Sequence, residues 1–166
     1  MKTKRLALLS MAAALAMILS YLESMIPAFV AIPGIKMGLA NIAVVFVLYE
    51  LGWKEAAAIS LVRVIVVSLV FTSNPSTLFY SSAGAVLSLL GMIGMKKTGL
   101  FSTVAVSVTG GVLHNVGQIG MACILLETDV VRYYLPYLIL SGTLAGIAIG
   151  VAAAILIKRI DIRPKN

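Results

Sequence analysis

The chain has 166 residues, of which 61% are hydrophobic and 11% charged, and its mean hydropathy is +1.08. Soluble domains average about 25% charged residues, so this composition excludes a soluble enzyme with a charged shell, a coiled coil and a disordered chain. The net charge of +7 does not indicate nucleic-acid binding, because the basic residues flank apolar segments and form no face or stripe. We therefore expect one integral membrane domain over residues 1–166.

Six apolar segments follow one another along the chain, each near the ~20 residues that a helix needs to cross a bilayer. Lipid offers the backbone no hydrogen bonds, so each segment is predicted to be an α-helix. The alternation typical of β-barrel strands is absent. The predicted spans are Leu6–Ile26, Met37–Gly52, Glu55–Phe71, Leu78–Met95, Leu100–Leu126 and Tyr133–Ile157. The expected fold is an all-α bundle of six transmembrane helices.

The orientation of the bundle follows from its basic residues. If the N-terminus is inside, ten Lys and Arg residues flank the spans on the inner side and two, Lys36 and Arg132, lie outside. The positive-inside rule then predicts that both termini are cytoplasmic. The first apolar segment has no small-residue cleavage site after Ser20, so we interpret it as an uncleaved helix and not as a signal peptide.

Arg63 lies in the middle of the third predicted span. A charge there costs about 2.5–3.5 kcal/mol on insertion scales, so such residues face the bundle interior and have a partner. One interpretation is that Arg63 binds the carboxylate or phosphate of a ligand, which its guanidinium grips with two hydrogen bonds. The alternative is a structural ion pair, for which Glu50 is the nearest candidate in sequence.

A polar cluster in the fifth span contains His114, Asn115 and Gln118. His114 and Gln118 are four residues apart and share a helix face. They either line a pocket in the outer half of the membrane or form ordinary interhelical hydrogen bonds. Asn41 and Lys36 are expected at a similar depth, which favours a polar pocket near the outer surface.

Small residues recur every four positions in the first and sixth spans. Gly142, Gly146 and Gly150 are expected to let the sixth helix pack closely inside the bundle. Ala12 and Ala16 in the first helix fit either internal packing or a docking surface for another subunit.

Catalytic motifs are missing from the sequence. It has no P-loop, no G-x-S-x-G, no H-E-x-x-H and no aspartate-rich cluster that would hold Mg²⁺ and a diphosphate. Its single cysteine, Cys123, excludes a disulfide framework and a cysteine-based zinc site. We therefore expect no catalytic residues, no metal and no cofactor.

Several segments resemble one membrane family. They are Pro33-Gly-Ile-Lys-Met-Gly-Leu-Ala-Asn41, Leu51-Gly-Trp-Lys-Glu55, Ser60-Leu-Val-Arg63, Val112-Leu-His-Asn-Val-Gly-Gln118 and Tyr134-Leu-Pro136. This is the Gx transporter family, often labelled heptaprenyl diphosphate synthase component I. It is similar to the substrate-binding S components of energy-coupling factor (ECF) vitamin transporters, which have six helices and cytoplasmic termini.

The resemblance implies a solute-binding protein with an ECF S-component-like bundle and a pocket near the outer face. It implies a transmembrane coupling subunit that docks on Ala12 and Ala16, and partner ATPases. The solute would be a vitamin, a flavin-like molecule, or a quinone or isoprenoid precursor. The alternative is a non-catalytic accessory subunit of heptaprenyl diphosphate synthase or of a flavin- or quinone-linked electron-transfer system. The expected ligand-binding residues are Arg63, Asn41, His114, Asn115, Gln118 and Lys36.

Overall fold

The structure, a computed structural model, describes residues 2–25, 38, 40–71, 75–127 and 130–160. Within these ranges it contains six α-helices and no strand, which confirms the all-helical prediction. A turn of π-helix, Val67–Phe71, extends the third helix, and a 3₁₀ turn, Val130–Tyr134, precedes the sixth. The helices are α1 (Lys2–Met25), α2 (Asn41–Glu50), α3 (Trp53–Val66), α4 (Pro75–Thr98), α5 (Thr103–Leu126) and α6 (Leu135–Arg159).

Four helical segments are long and apolar enough to cross a membrane: Arg5–Leu22, Leu78–Thr98, Thr103–Leu126 and Val130–Arg159. The chain is therefore a multi-pass membrane protein. The second segment differs from the prediction, because α2 has 10 residues and rises only about 15 Å, half the thickness of the hydrocarbon core.

The short helix α2 lies at the centre of the bundle. Its residues Ala43–Leu48 are all buried, and it packs against α1, α3 and α6. A helix that is apolar on every side needs neighbours on every side. The surrounding helices expose their large apolar side chains outward, as lipid requires. Examples are Met11, Leu90 and Leu144, each at least 60% exposed.

The C-terminal end of α2 is tied down by two basic side chains from other helices. Lys96 Nζ of α4 donates to the carbonyl oxygen of Leu48. Arg5 of α1 donates to the carbonyl oxygen of Leu51 at 3.0 Å and forms an ion pair with Glu55. These contacts satisfy carbonyl groups that a helix end leaves without partners, and they place positive charge at the negative end of the helix dipole.

Glycines bring α5 and α6 into backbone contact. A β-carbon on Gly142 would lie 3.0 Å from the carbonyl oxygen of Gly111, and one on Gly146 would lie 2.6 Å from Cα of Val108. Neither position has room for a side chain, because its neighbour is backbone. This confirms the expectation that the glycines of the sixth helix serve packing inside the bundle.

The two alanines of α1 also pack internally. Ala16 is fully buried and Ala12 is 7% exposed, and both belong to the core around α2. Of the two alternatives for these residues, the structure shows internal packing. Docking of a coupling subunit on Ala12 and Ala16 stays a prediction.

We expect Gly146→Ala to destabilise the protein by about 1–3 kcal/mol, because the new methyl group collides with the backbone of α5. The measurement is the thermal unfolding midpoint of the purified protein in mild detergent. Gly120→Ala is the matched control, since a β-carbon there meets nothing within 4 Å. Equal midpoints for the two variants would contradict the close contact between α5 and α6.

Candidate functional site: a polar cavity inside the bundle

A cavity of about 70 Å³ lies between the helices. A buried water molecule needs about 10–15 Å³ of such space, so this volume holds roughly five. Every α-helix contributes to the wall, and small residues such as Gly111 and Ala145 form much of it. The polar residues of the wall are Ser20, Asn41, Arg63, Ser81, Ser107, His114, Asn115 and Gln118.

The structure thus brings five predicted ligand-binding residues to one cavity, from three different helices: Asn41, Arg63, His114, Asn115 and Gln118. The sixth, Lys36, lies outside the described residues. Arg63 and His114 each also interact with other groups of the protein.

Asn41 lies deeper in the bundle than the sequence prediction placed it. Its N–H donates to the carbonyl oxygen of Gly38 at 2.7 Å, and Gly38 lies against the side chain of Ile149 on α6. The next residue of α6, Gly150, packs against Ser107 of α5. Asn41 is therefore near the level of Ser107, about 10 Å along α5 from His114. The expectation that Asn41 shares the depth of His114 is wrong, because α2 begins inside the bundle.

Arg63 is close to the level of Asn41. Helices α2 and α3 form a hairpin around Leu51 and Gly52, and they pack against each other. Asn41 precedes this turn by about as many residues as Arg63 follows it, so the two lie side by side. Glu50 lies at the other end of α2, about 13 Å away along the axis. This arrangement does not support an ion pair between Arg63 and Glu50. Arg63 interacts with other groups of the protein, and its ligand-binding role stays a prediction.

Asn115 has a structural role in addition to its place in the cavity wall. It is 7% exposed, and its Nδ2 donates to the carbonyl oxygen of Leu138 at 2.6 Å, joining α5 to α6. His114 and Gln118 lie on the opposite flank of α5, where Gly84 of α4 packs against both. Both alternatives for the polar cluster are therefore realised: Asn115 bonds between helices, and its neighbours line the cavity.

Ser107 is a cavity residue that the sequence prediction missed. It is 1% exposed, and its Oγ has no hydrogen-bond partner within the described part of the protein. A serine inside a helix can donate to the carbonyl oxygen four residues earlier, so its presence in the sequence does not indicate a binding residue. The available signal was its spacing: Ser107, Gly111, His114 and Gln118 recur at helical intervals and lie on one face of α5.

Metal-binding side chains do not cluster in the part of the chain that the structure describes. No group of three or more His, Cys, Asp or Glu side chains there could hold a metal ion. Within the described cavity wall, the charged or titratable side chains are those of Arg63 and His114, and carboxylates do not contribute to it.

Comparison with protein families identifies the chain. A family model described as heptaprenyl diphosphate synthase component I matches residues 12–156. The chain belongs to this family. The match includes all of α2 to α5, parts of α1 and α6, and all described residues of the cavity wall. No curated protein and no solved structure matches the chain.

For this family member we expect Asn115→Ala to lower the stability by about 1 kcal/mol, because it removes a buried bond between α5 and α6. The measurement is unfolding of the purified protein in mild detergent. Gln118→Ala, one turn along the same helix, is the control. It should lose less stability, since no bond from Gln118 to the backbone of another helix is found among the described residues. A larger loss for Gln118→Ala would contradict the structural role of Asn115.

Proposed function

We propose that the chain is a membrane-embedded binding protein for a small anionic solute, similar in role to the S component of an ECF transporter. The observation that supports this is the convergence of Arg63 with polar side chains of α2 and α5 on one cavity. Residues far apart in sequence meet there, although a filled apolar interior would be less costly in lipid.

The chemistry of the cavity favours an anion. A guanidinium inside a bilayer protein is costly unless it is paired, and it presents five donors in a fork that matches a carboxylate or phosphate. The carboxamide groups of Asn41 and Gln118 and the imidazole of His114 add hydrogen bonds without adding negative charge.

The volume of the cavity restricts the solute. Pockets that enclose drug-sized ligands measure about 300–1,000 Å³, several times the volume found here. A compact anion fits this conformation, whereas a whole flavin or quinone would require the helices to separate. The size thus favours the small members of the solute classes considered from the sequence.

Transport would need partners. The sequence has no P-loop, so ATP hydrolysis would come from separate ATPases through a transmembrane coupling subunit. Because Ala12 and Ala16 are buried, such a subunit would contact the outward face of α1, where Met11, Leu15 and Ile18 are exposed. We propose that this assembly lies in the cell membrane with both termini in the cytoplasm, because the basic residues flank the predicted inner ends of the spans.

The family description favours a second candidate, an accessory subunit of heptaprenyl diphosphate synthase. In that role the chain would be a non-catalytic membrane component, because it lacks the aspartate clusters that bind Mg²⁺ and a diphosphate. The same reasoning covers a membrane subunit of a flavin- or quinone-linked electron-transfer system. A solute-binding protein must hold a solute in the cavity, whereas these accessory subunits do not need one there.

The test is native mass spectrometry of the protein purified gently from membranes. We expect the wild type to retain a small anion and Arg63→Gln to lose it, because the neutral amide cannot balance the charge. Arg63→Lys should retain it weakly, since an ammonium keeps the charge but not the fork. Arg159→Gln, at the exposed end of α6, removes the same charge elsewhere and should change nothing.

The co-purifying proteins separate the two candidates. A retained anion together with a membrane coupling subunit and its ATPases supports the solute-binding role. An empty cavity in a protein that co-purifies with a soluble polyprenyl diphosphate synthase, and raises its activity, would contradict that role and favour the accessory subunit.

A further inference from the structure

We propose that the anionic group of the solute binds at the N-terminus of α2, between Arg63, Asn41 and Ser107, and not beside His114 and Gln118. This inference rests on the proposed function and names the position and the chemistry of its anion site. The anion is a compact oxyanion, a carboxylate or a phosphate, held near the middle of the bundle.

The first support is the position of the α2 N-terminus. Helix α2 begins inside the bundle, and Gly38 and Asn41 at its beginning both line the cavity. The chain enters this helix through Gly38, whose φ of +72° is a conformation that favours glycine. The first turn of any α-helix has N–H groups without intrahelical partners, and its end of the helix dipole is positive. In α2 the N–H of Asn41 already donates to the carbonyl oxygen of Gly38, so an anion would bind to the other N–H groups of this turn.

The N-terminus of α2 also lacks the usual side-chain cap. Its N-cap residue is Ala40, which has no acceptor, and no side-chain cap hydrogen bond forms. Serine, threonine, asparagine or aspartate normally occupies this position and accepts a bond from the first turn. An oxyanion would supply such an acceptor, and half-helices that begin near the membrane midplane bind anionic solutes in this way in other transporters.

The second support is independent and comes from α5. Ser107 Oγ is buried without a hydrogen-bond partner in the described structure, and Ser107 belongs to the cavity wall near the level of Asn41. A buried hydroxyl without a partner costs about 1–3 kcal/mol, so an acceptor in the cavity would stabilise Ser107. A donated bond from Ser107 to an oxyanion would satisfy it.

Charge completes the argument. Arg63 is the one full positive charge in the described wall, and it lies at the level of Asn41, about 10 Å below His114. A helix N-terminus adds roughly half an elementary charge at the same place. The anion therefore gains most at this end of the cavity. His114 and Gln118 are left to hydrogen-bond the uncharged part of the solute.

The test uses two substitutions of equal chemistry in the same cavity. Asn41→Asp and Gln118→Glu each replace an amide by a carboxylate of the same shape, at the two ends of the wall. The probes are inorganic phosphate and acetate, titrated calorimetrically into the protein in phosphatidylcholine nanodiscs. We expect millimolar binding to the wild type, at least a tenfold loss for Asn41→Asp and at most a threefold loss for Gln118→Glu.

Folding is controlled within the same experiment. A carboxylate in the first turn of a helix interacts favourably with its dipole, so Asn41→Asp should keep its unfolding midpoint while losing the anion. Ser107→Ala should weaken binding about fivefold. Ser88→Ala removes another buried hydroxyl without a partner, outside the described cavity wall, and should leave binding unchanged.

The outcomes separate this inference from the proposed function. If both probes bind the wild type but Gln118→Glu is the damaging change, or both changes are equally damaging, the α2 site is wrong and the solute-binding role stands. If neither probe binds the wild type, the α2 oxyanion site is wrong, and the solute-binding role is decided by the anion retained in native mass spectrometry. Replacing phosphatidylcholine by phosphatidylglycerol identifies the source of the anion. If phosphatidylglycerol competes with phosphate, the anion is a lipid head group. If it does not compete, the anion belongs to a soluble solute.

Discussion

A helix that begins in the middle of a membrane bundle must have its backbone enclosed by protein, because lipid cannot hydrogen-bond to it. This requirement governs the position of α2, whose ten residues cross only half of the hydrocarbon core. Its C-terminal end is satisfied by Lys96 and Arg5 from two other helices. Its N-terminal end opens onto the polar cavity. The cavity therefore lies at the N-terminal end of the short helix α2.

The walls around that space depend on close packing elsewhere. Helices α5 and α6 touch through backbone at Gly111, Gly142 and Gly146, and α4 meets α5 at Gly84 and Gly117. At Gly111, Gly117 and Gly146 the neighbouring backbone leaves no room for a side chain. The same tight packing explains the small volume: the cavity persists where side chains are absent, at glycine and alanine positions, and not because the helices are far apart.

Much of this architecture could be predicted from local patterns. Apolar length predicted the four long helices, and the unusual position of Arg63 within a span predicted that it faces the interior. The spacing of His114 and Gln118 predicted a shared face. The prediction that failed was the depth of Asn41 in the bundle. The segment before Asn41 is apolar enough to be counted as part of a span, and periodicity does not show where a helix begins. Ser107 was missed because the lack of a bond to its Oγ is a tertiary fact.

The charge balance of the cavity limits what it can recognise. The positive groups of the described wall are Arg63, which also interacts with other groups of the protein, and the start of α2. Under the proposed function, these groups would bind a carboxylate or a phosphate monoester, with one to two negative charges. A diphosphate carries more negative charge than either of these groups. Under the proposed function, the cavity is therefore better matched to a carboxylate or a phosphate monoester than to a diphosphate, even if the chain assists a prenyl diphosphate synthase.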